Sequence, residues 1–236
     1  HRIRFTAGVT IAKGVQWGRP CSLEIGRPVA TSDAELAELV RRQVLDGPKP
    51  NPGRFEGATA VGLAGGDLFV TLGGAAGGRS PSGPDAWLFP LDAMVVRCDS
   101  DRAAGGAMAA VAHVVALRHP ARSRGGELRH MGWFEAETLV VANAAFLGDW
   151  NIAPRGHPND GRLEVTRGSL PRRDRRRLGA RLRTGTHLPH PDLATSRPKS
   201  VDSAGGPWRL FVDGVDHGMV DRFTVSVVPD AFAVVM

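Results

Sequence analysis

No run in this 236-residue chain approaches the roughly eighteen consecutive apolar residues that a membrane span needs. The first residues, HRIRFTAGVT, lack the long apolar core of a signal peptide, so a cytoplasmic protein is expected. Cysteine is scarce. Cys21 and Cys98 stand alone, with no CxxC or Cys/His zinc spacing, which excludes a disulfide framework and a structural zinc site and leaves two free thiols. The GxxxxGK[ST], GxGxxG, HExxH and GxSxG patterns are missing too, so the commonest nucleotide, dinucleotide, metalloprotease and serine-hydrolase signatures give no guidance. Lysine is nearly absent, at 3 residues against 27 arginines.

What is present describes a globular chain, with 42% apolar and 23% charged residues and room for one large or two modest domains. The formal charge of +6 and pI near 10.5 point to anionic partners. A GC-rich coding sequence alone would produce the arginine excess, so position carries more information than total. Seven arginines fall within the thirteen residues PRRDRRRLGARLR, Pro171 to Arg183.

RIRF reads as a first strand. SDAELAELVRRQVLDGP then carries a helix signature: Ser32 as N-cap with Glu35 three residues on, Leu36, Leu39 and Val40 on one face, and Gly47-Pro48 as the stop. ATAVGLAGGD follows as a short buried strand ending in a Gly-rich turn. That rhythm is an α/β layer, in which ligands lie beyond the carboxyl ends of strands, so Gly65, Gly66 and Asp67 stand where a site is expected. AWLFPLDAMVVRCD reads as one or two strands. From there short β-like runs alternate with turns, ending in RFTVSVVP and AFAVVM, and only the Arg-rich piece resembles a helix, which indicates an antiparallel sandwich or barrel. The boundary is placed near Asp92, giving an α/β unit over 1–92 and a sandwich over 93–236.

Two later segments carry a family likeness. In VVANAAFLGDWNIAPRGHPNDGRLEV the residues Asn143, Gly148, Ala153, Pro154, Asp160, Gly161, Leu163 and Val165, and in WRLFVDGVDHGMVDRF the pair Asp213-Gly214, stand in the order and spacing of a known pattern. Together with the GGD turn they resemble the diacylglycerol kinase and sphingosine kinase family of lipid kinases, especially its bacterial type. That resemblance implies an α/β domain similar to NAD kinases, a C-terminal β-sandwich, ATP and Mg²⁺ as cofactors, and a cleft with Gly65, Gly66, Asp67 and Asp92 on one wall and Asp213 on the other.

The departures from the family pattern bear on activity. The family's GGDGT turn has glycine where this chain has Leu68 and threonine where it has Phe69, so a large apolar pair stands where phosphate needs close backbone donors. Its second nucleotide loop is replaced by FPLDAMVV, which offers only Asp92. The glutamate of its DGE turn, the proposed base, is Val215 here. Asp213, Asp216 and His217 remain as candidate catalytic groups. Asp67, Asp92 and Asp160 are candidate metal ligands, with Asn159 and Glu164 beside Asp160, and His187, His190 and Asp192 form a second metal candidate. A turn or capping role is the alternative for each.

The expected function is therefore a lipid-kinase-family protein with degenerate nucleotide and base motifs, little or no kinase activity, and a lipid- or anion-binding role. One alternative is an active ATP- and Mg-dependent kinase of a lipid hydroxyl; another is a non-catalytic interaction or scaffold protein. The partners expected are a lipid or anionic membrane surface at Arg172 to Arg183, at which the protein would sit peripherally, and further copies of the chain as a homo-oligomer. Aromatics are not interleaved with those arginines, so no nucleic acid is expected.

Overall fold

A computed structural model describes residues 17–46, 60–74, 80–99, 106–118 and 133–236. The strand expected at RIRF lies outside the described residues. The chain opens with β1 (Arg19–Pro20), β2 (Val29–Ala30), α1 (Asp33–Leu45), β3 (Val61–Leu63), α2 (Asp67–Thr71) and β4 (Trp87–Cys98). It continues through β5 (Met108–Ala110), β6 (His113–Arg118), β7 (Thr138–Ala142), β8 (Phe146–Leu147), β9 (Trp150–Asn151) and β10 (Glu164–Gly168). The remainder forms α3 (Arg172–Arg183), β11 (Leu193–Ser196), β12 (Ser200–Asp202), β13 (Trp208–Val212), β14 (Val215–Val220) and β15 (Phe223–Val235).

Helix α1 begins as its sequence dictates. Ser32 Oγ accepts the Glu35 N–H at 3.2 Å, while the Glu35 carboxylate reaches back to accept the Thr31 N–H at 2.8 Å, so the helix starts with two backbone donors satisfied. Its buried stripe is Leu36, Ala37, Val40 and Val44. Leu39, expected on that face, is 41% exposed, because the stripe follows the helical period through Ala37 rather than Leu39.

Two sheets make up most of the molecule. The first runs β1-β4-β15-β3-β2, with β5 added to β4 and β12 to β15; the second is a six-stranded antiparallel sheet, β11-β10-β7-β6-β13-β14. Met94, Val96, Phe223 and Val225 of the first sheet pack against Val114, Ala116, Leu139, Val141, Trp208 and Leu210 of the second, forming the sandwich core. Lower on the first sheet, α1 packs with Leu63, Leu91, Phe232 and Val234. The molecule is thus an α/β unit followed by an antiparallel β-sandwich, with α3 laid over the outer face of the second sheet through Leu178 and Leu182.

The last strand returns to the α/β unit. RFTVSVVP and AFAVVM, read as separate runs with a proline between them, form the single strand β15, which bends at a bulge between Val228 and Phe232 where Asp230 takes φ 49°. Its upper half lies in the sandwich, and its last residues pair in parallel with β3, Val234 opposite Val61. Strand β4 lies beside it throughout, from Phe223 opposite Cys98 to Val235 opposite Leu88. Asp92 therefore sits inside a continuous strand shared by both units.

Candidate functional site

The GGD turn lies between β3 and α2, where the parallel part of the sheet ends. Gly66 has φ 94°, the left-handed region that favours glycine, and caps the short helix. Both glycines also permit close approach of the β2–α1 segment: a Cβ on Gly65 would stand 2.3 Å from the Thr31 carbonyl oxygen, and one on Gly66 2.7 Å from Asp33 Oδ1. That approach has a chemical consequence. The Asp33 carboxylate accepts the Asp67 N–H at 2.6 Å and the Leu68 N–H at 3.0 Å, so the two backbone donors of the turn are held by a carboxylate of the protein itself. Leu68 and Phe69 do not fill the space in front of those donors, as the sequence suggested. They turn into the core, 0% and 7% exposed, because their apolar surface is better buried with α1 and the sheet.

The other side of the turn is closed by the sandwich. Asp67 Oδ1 accepts the Gly148 N–H at 2.6 Å, and Thr71 Oγ1 accepts the Ala145 and Phe146 N–H groups, joining the turn to the hairpin of β8 and β9. Asp67 Oδ2 lies 3.6 Å from Nδ1 of the buried His113, whose Nε2 is 3.3 Å from the Ala144 carbonyl oxygen. Burial lowers the His113 pKa against the pull of Asp67 and Asp33, and burial raises that of Asp33 against its two backbone donors. Neither Asp33 nor His113 stood out in the sequence. An aspartate after an N-cap reads as a helix-dipole residue, and a histidine among valines reads as core.

Asp213 occupies the first position of the β13–β14 turn with φ 46°, followed by Gly214 with φ 81°, the conformation an Asp-Gly hairpin turn requires. Its carboxylate accepts the Val111, Ala112 and His113 N–H groups, each at 2.9 Å, which clasps the β5–β6 turn. Burial pushes its pKa up to about 7. Asp216 is paired with Arg209 at 2.6 Å and accepts the Gly218 N–H, which lowers its pKa. Val215, where the resemblance expects a base, is 47% exposed. Val215, Asp213, Asp216 and His217 line one side of a cleft of about 550 Å³, whose other side is Glu38 and Arg41 of α1. Burial lowers the pKa of His217.

Asp92 belongs to a different cluster. Its carboxylate accepts the Asp230 N–H at 2.9 Å and the Gly161 N–H at 2.6 Å, and the Asn159 side chain lies 3.4 Å away; Asn143 Nδ2 donates to the Asp92 carbonyl oxygen. Asp92 thus fastens the Asn-Asp-Gly turn to the bulge of β15. Burial raises its pKa to about 7. Asp160 and Glu164 both pair with Arg197.

The sequence candidates therefore divide into three groups: Gly65, Gly66 and Asp67 beneath α1; Asp213, Asp216 and His217 at the cleft; Asp92 and Asp160 around the Asn-Asp-Gly turn. The Asp67 and Leu68 N–H groups are held by Asp33, and the Asp67 and Asp92 carboxylates accept separate backbone N–H groups, from Gly148 and from Gly161 and Asp230. Among the described residues, the one trio of ligand side chains within 4.8 Å of each other is Asp174, His190 and Asp192. His187, grouped with them in sequence, is buried elsewhere against the Ile152 backbone.

Residues 100–236 match the family model of the YegS C-terminal NAD kinase beta sandwich-like domain. Two solved structures described as diacylglycerol kinases from Bacillus anthracis strain Sterne are similar in fold, each at TM-score 0.54 and 12% identity; the similarity covers 87% of this chain and 75% of one or 76% of the other. No curated protein matches the chain significantly. The resemblance read from the AP…NDG and VDG segments is borne out over most of the sandwich, and the chain belongs to the family of the YegS C-terminal NAD kinase beta sandwich-like domain.

Proposed function

We propose that this chain is a lipid-kinase-family protein whose nucleotide site is closed by its own groups, so that it binds Mg·ATP weakly or not at all and does not phosphorylate lipid. The observation that carries this reading is the Asp33 carboxylate on the Asp67 and Leu68 N–H groups. Phosphoryl transfer depends on positioning the phosphates and neutralising their charge. A fixed carboxylate at those donors both blocks the phosphate oxygens and repels them. Val215 in place of a glutamate removes a further group, and loss of a general base alone lowers rate by about 10²–10⁴.

Titration calorimetry with Mg·ATP and with Mg·ADP tests this directly. No binding heat at millimolar nucleotide, and no transfer of γ-phosphate to diacylglycerol in mixed micelles, are the expected results. Saturable binding at micromolar nucleotide would contradict the proposal. The second reading, an active ATP- and Mg-dependent lipid kinase, draws support from His217 alone. It lines the cleft, and burial lowers its pKa, which favours the neutral imidazole that a general base requires. Under that reading, γ-phosphate transfer would be measurable and would fall in His217→Ala.

A further inference from the structure

The charge of this protein is concentrated in one element. Helix α3 holds seven of the chain's 30 Lys and Arg and one of its 24 Asp and Glu, so the remaining residues carry 23 of each sign. The whole formal charge of +6 thus equals that of twelve residues. Glycine at position 179 does not interrupt the helix, which runs unbroken from Arg172 to Arg183.

Its two faces are differently committed. Leu178 and Leu182 are buried against the outer face of the second sheet, with Val140, Ile152 and Phe211. On the other side, Arg172, Arg173, Arg176, Arg177 and Arg183 are exposed. Arg173 pairs with Asp174, Arg175 with Glu135 and Arg183 with Asp149. Arg172, Arg176 and Arg177 have no ion pair among the described residues. Arginine forks bind phosphate oxygens in two-point contacts, and several of them on one flat face match a dense array of phosphates rather than one ion.

We infer that the arginine face of α3 docks the protein on the surface of an anionic phospholipid bilayer. An extended bilayer is favoured over single-stranded nucleic acid because the helix has no aromatic residue on which a base could stack. The mode is electrostatic only. Interfacial helices ordinarily insert an apolar face among the acyl chains, but the apolar face of α3 is already committed to the sheet. Binding is therefore reversible and salt-sensitive. It is independent of whether the nucleotide site works.

Flotation with vesicles of phosphatidylcholine, with and without phosphatidylglycerol, tests this on the intact chain. Each basic residue near an anionic surface contributes about fivefold to partitioning, so Arg172→Gln, Arg176→Gln and Arg177→Gln together are expected to weaken binding about 100-fold. A control with Arg19→Gln, Arg42→Gln and Arg97→Gln removes the same charge from exposed positions elsewhere and should bind within about threefold of wild type. Both variants keep their core contacts, so equal thermal midpoints are expected. Four results would overturn the inference: no flotation of wild type at low salt; equal weakening in both triple variants; displacement by inorganic phosphate at constant ionic strength, which marks a single-anion site; or tighter binding to a nucleic-acid duplex than to the vesicles.

Discussion

Asp33→Ala is expected to lower the free energy of unfolding by about 3 kcal/mol, because it leaves the part-buried Asp67 N–H and the buried Leu68 N–H without their acceptor. For a chain of this size that corresponds to a fall of roughly 6–12 °C in the unfolding midpoint. Asp33→Asn keeps one accepting oxygen and should cost roughly half as much. Neither variant is expected to gain Mg·ATP binding, since the Gly148 N–H still occupies Asp67. Thermal unfolding followed by circular dichroism measures the effect. A midpoint unchanged in Asp33→Ala would mean that the carboxylate does not hold the turn.

The second large effect is a pH dependence set by Asp92. Its pKa in the folded protein is about 7, raised by burial above the ordinary 3.8, so between those values the folded state holds a proton that the unfolded chain releases. The stabilisation from this group is complete below about pH 4 and is lost as pH rises through about 7. Asp213 has the same sign and window. The histidines oppose them. His113, His157, His187 and His217 have lowered pKa values, so their contribution falls as pH drops below the ordinary histidine value near 6.5. Asp92 must therefore be isolated by difference. Relative to Asp92→Asn, wild type should gain about 3 kcal/mol on going from about pH 8 to about pH 5, measured by urea unfolding at each pH. A difference between the two proteins that stays flat, or runs the other way, would show that Asp92 is ionised throughout.

How much of this was readable in the chain depends on the range of the interaction. Helix α1 was legible because Ser32, Glu35 and the apolar spacing act within one or two turns. The GGD turn was legible for the same reason, a local apolar run stopped by glycines. Its occupant was not, because Asp33 lies 34 residues before Asp67 and nothing beside either residue marks the pairing. The return of AFAVVM to a parallel pairing with β3 was equally hidden, since the alternation that identifies a strand does not say which sheet receives it. The same limit applies to Asp213 and Asp92. The place of Asp213 in a turn and of Asp92 in a strand-like run was plain, whereas the backbone donors that engage them come from Val111 and Gly161, 102 and 69 residues away. Sequence likeness nominated these carboxylates; folding contacts decide what each is free to do.

The most direct test observes the two donors themselves. In a ¹⁵N-labelled protein, the amide resonances of Asp67 and Leu68 should stay in place as Mg·ATP is raised to millimolar concentration and should move strongly in Asp33→Asn. Progressive, saturable shifts of those two amides on addition of Mg·ATP to the wild-type protein would contradict a turn already closed by Asp33.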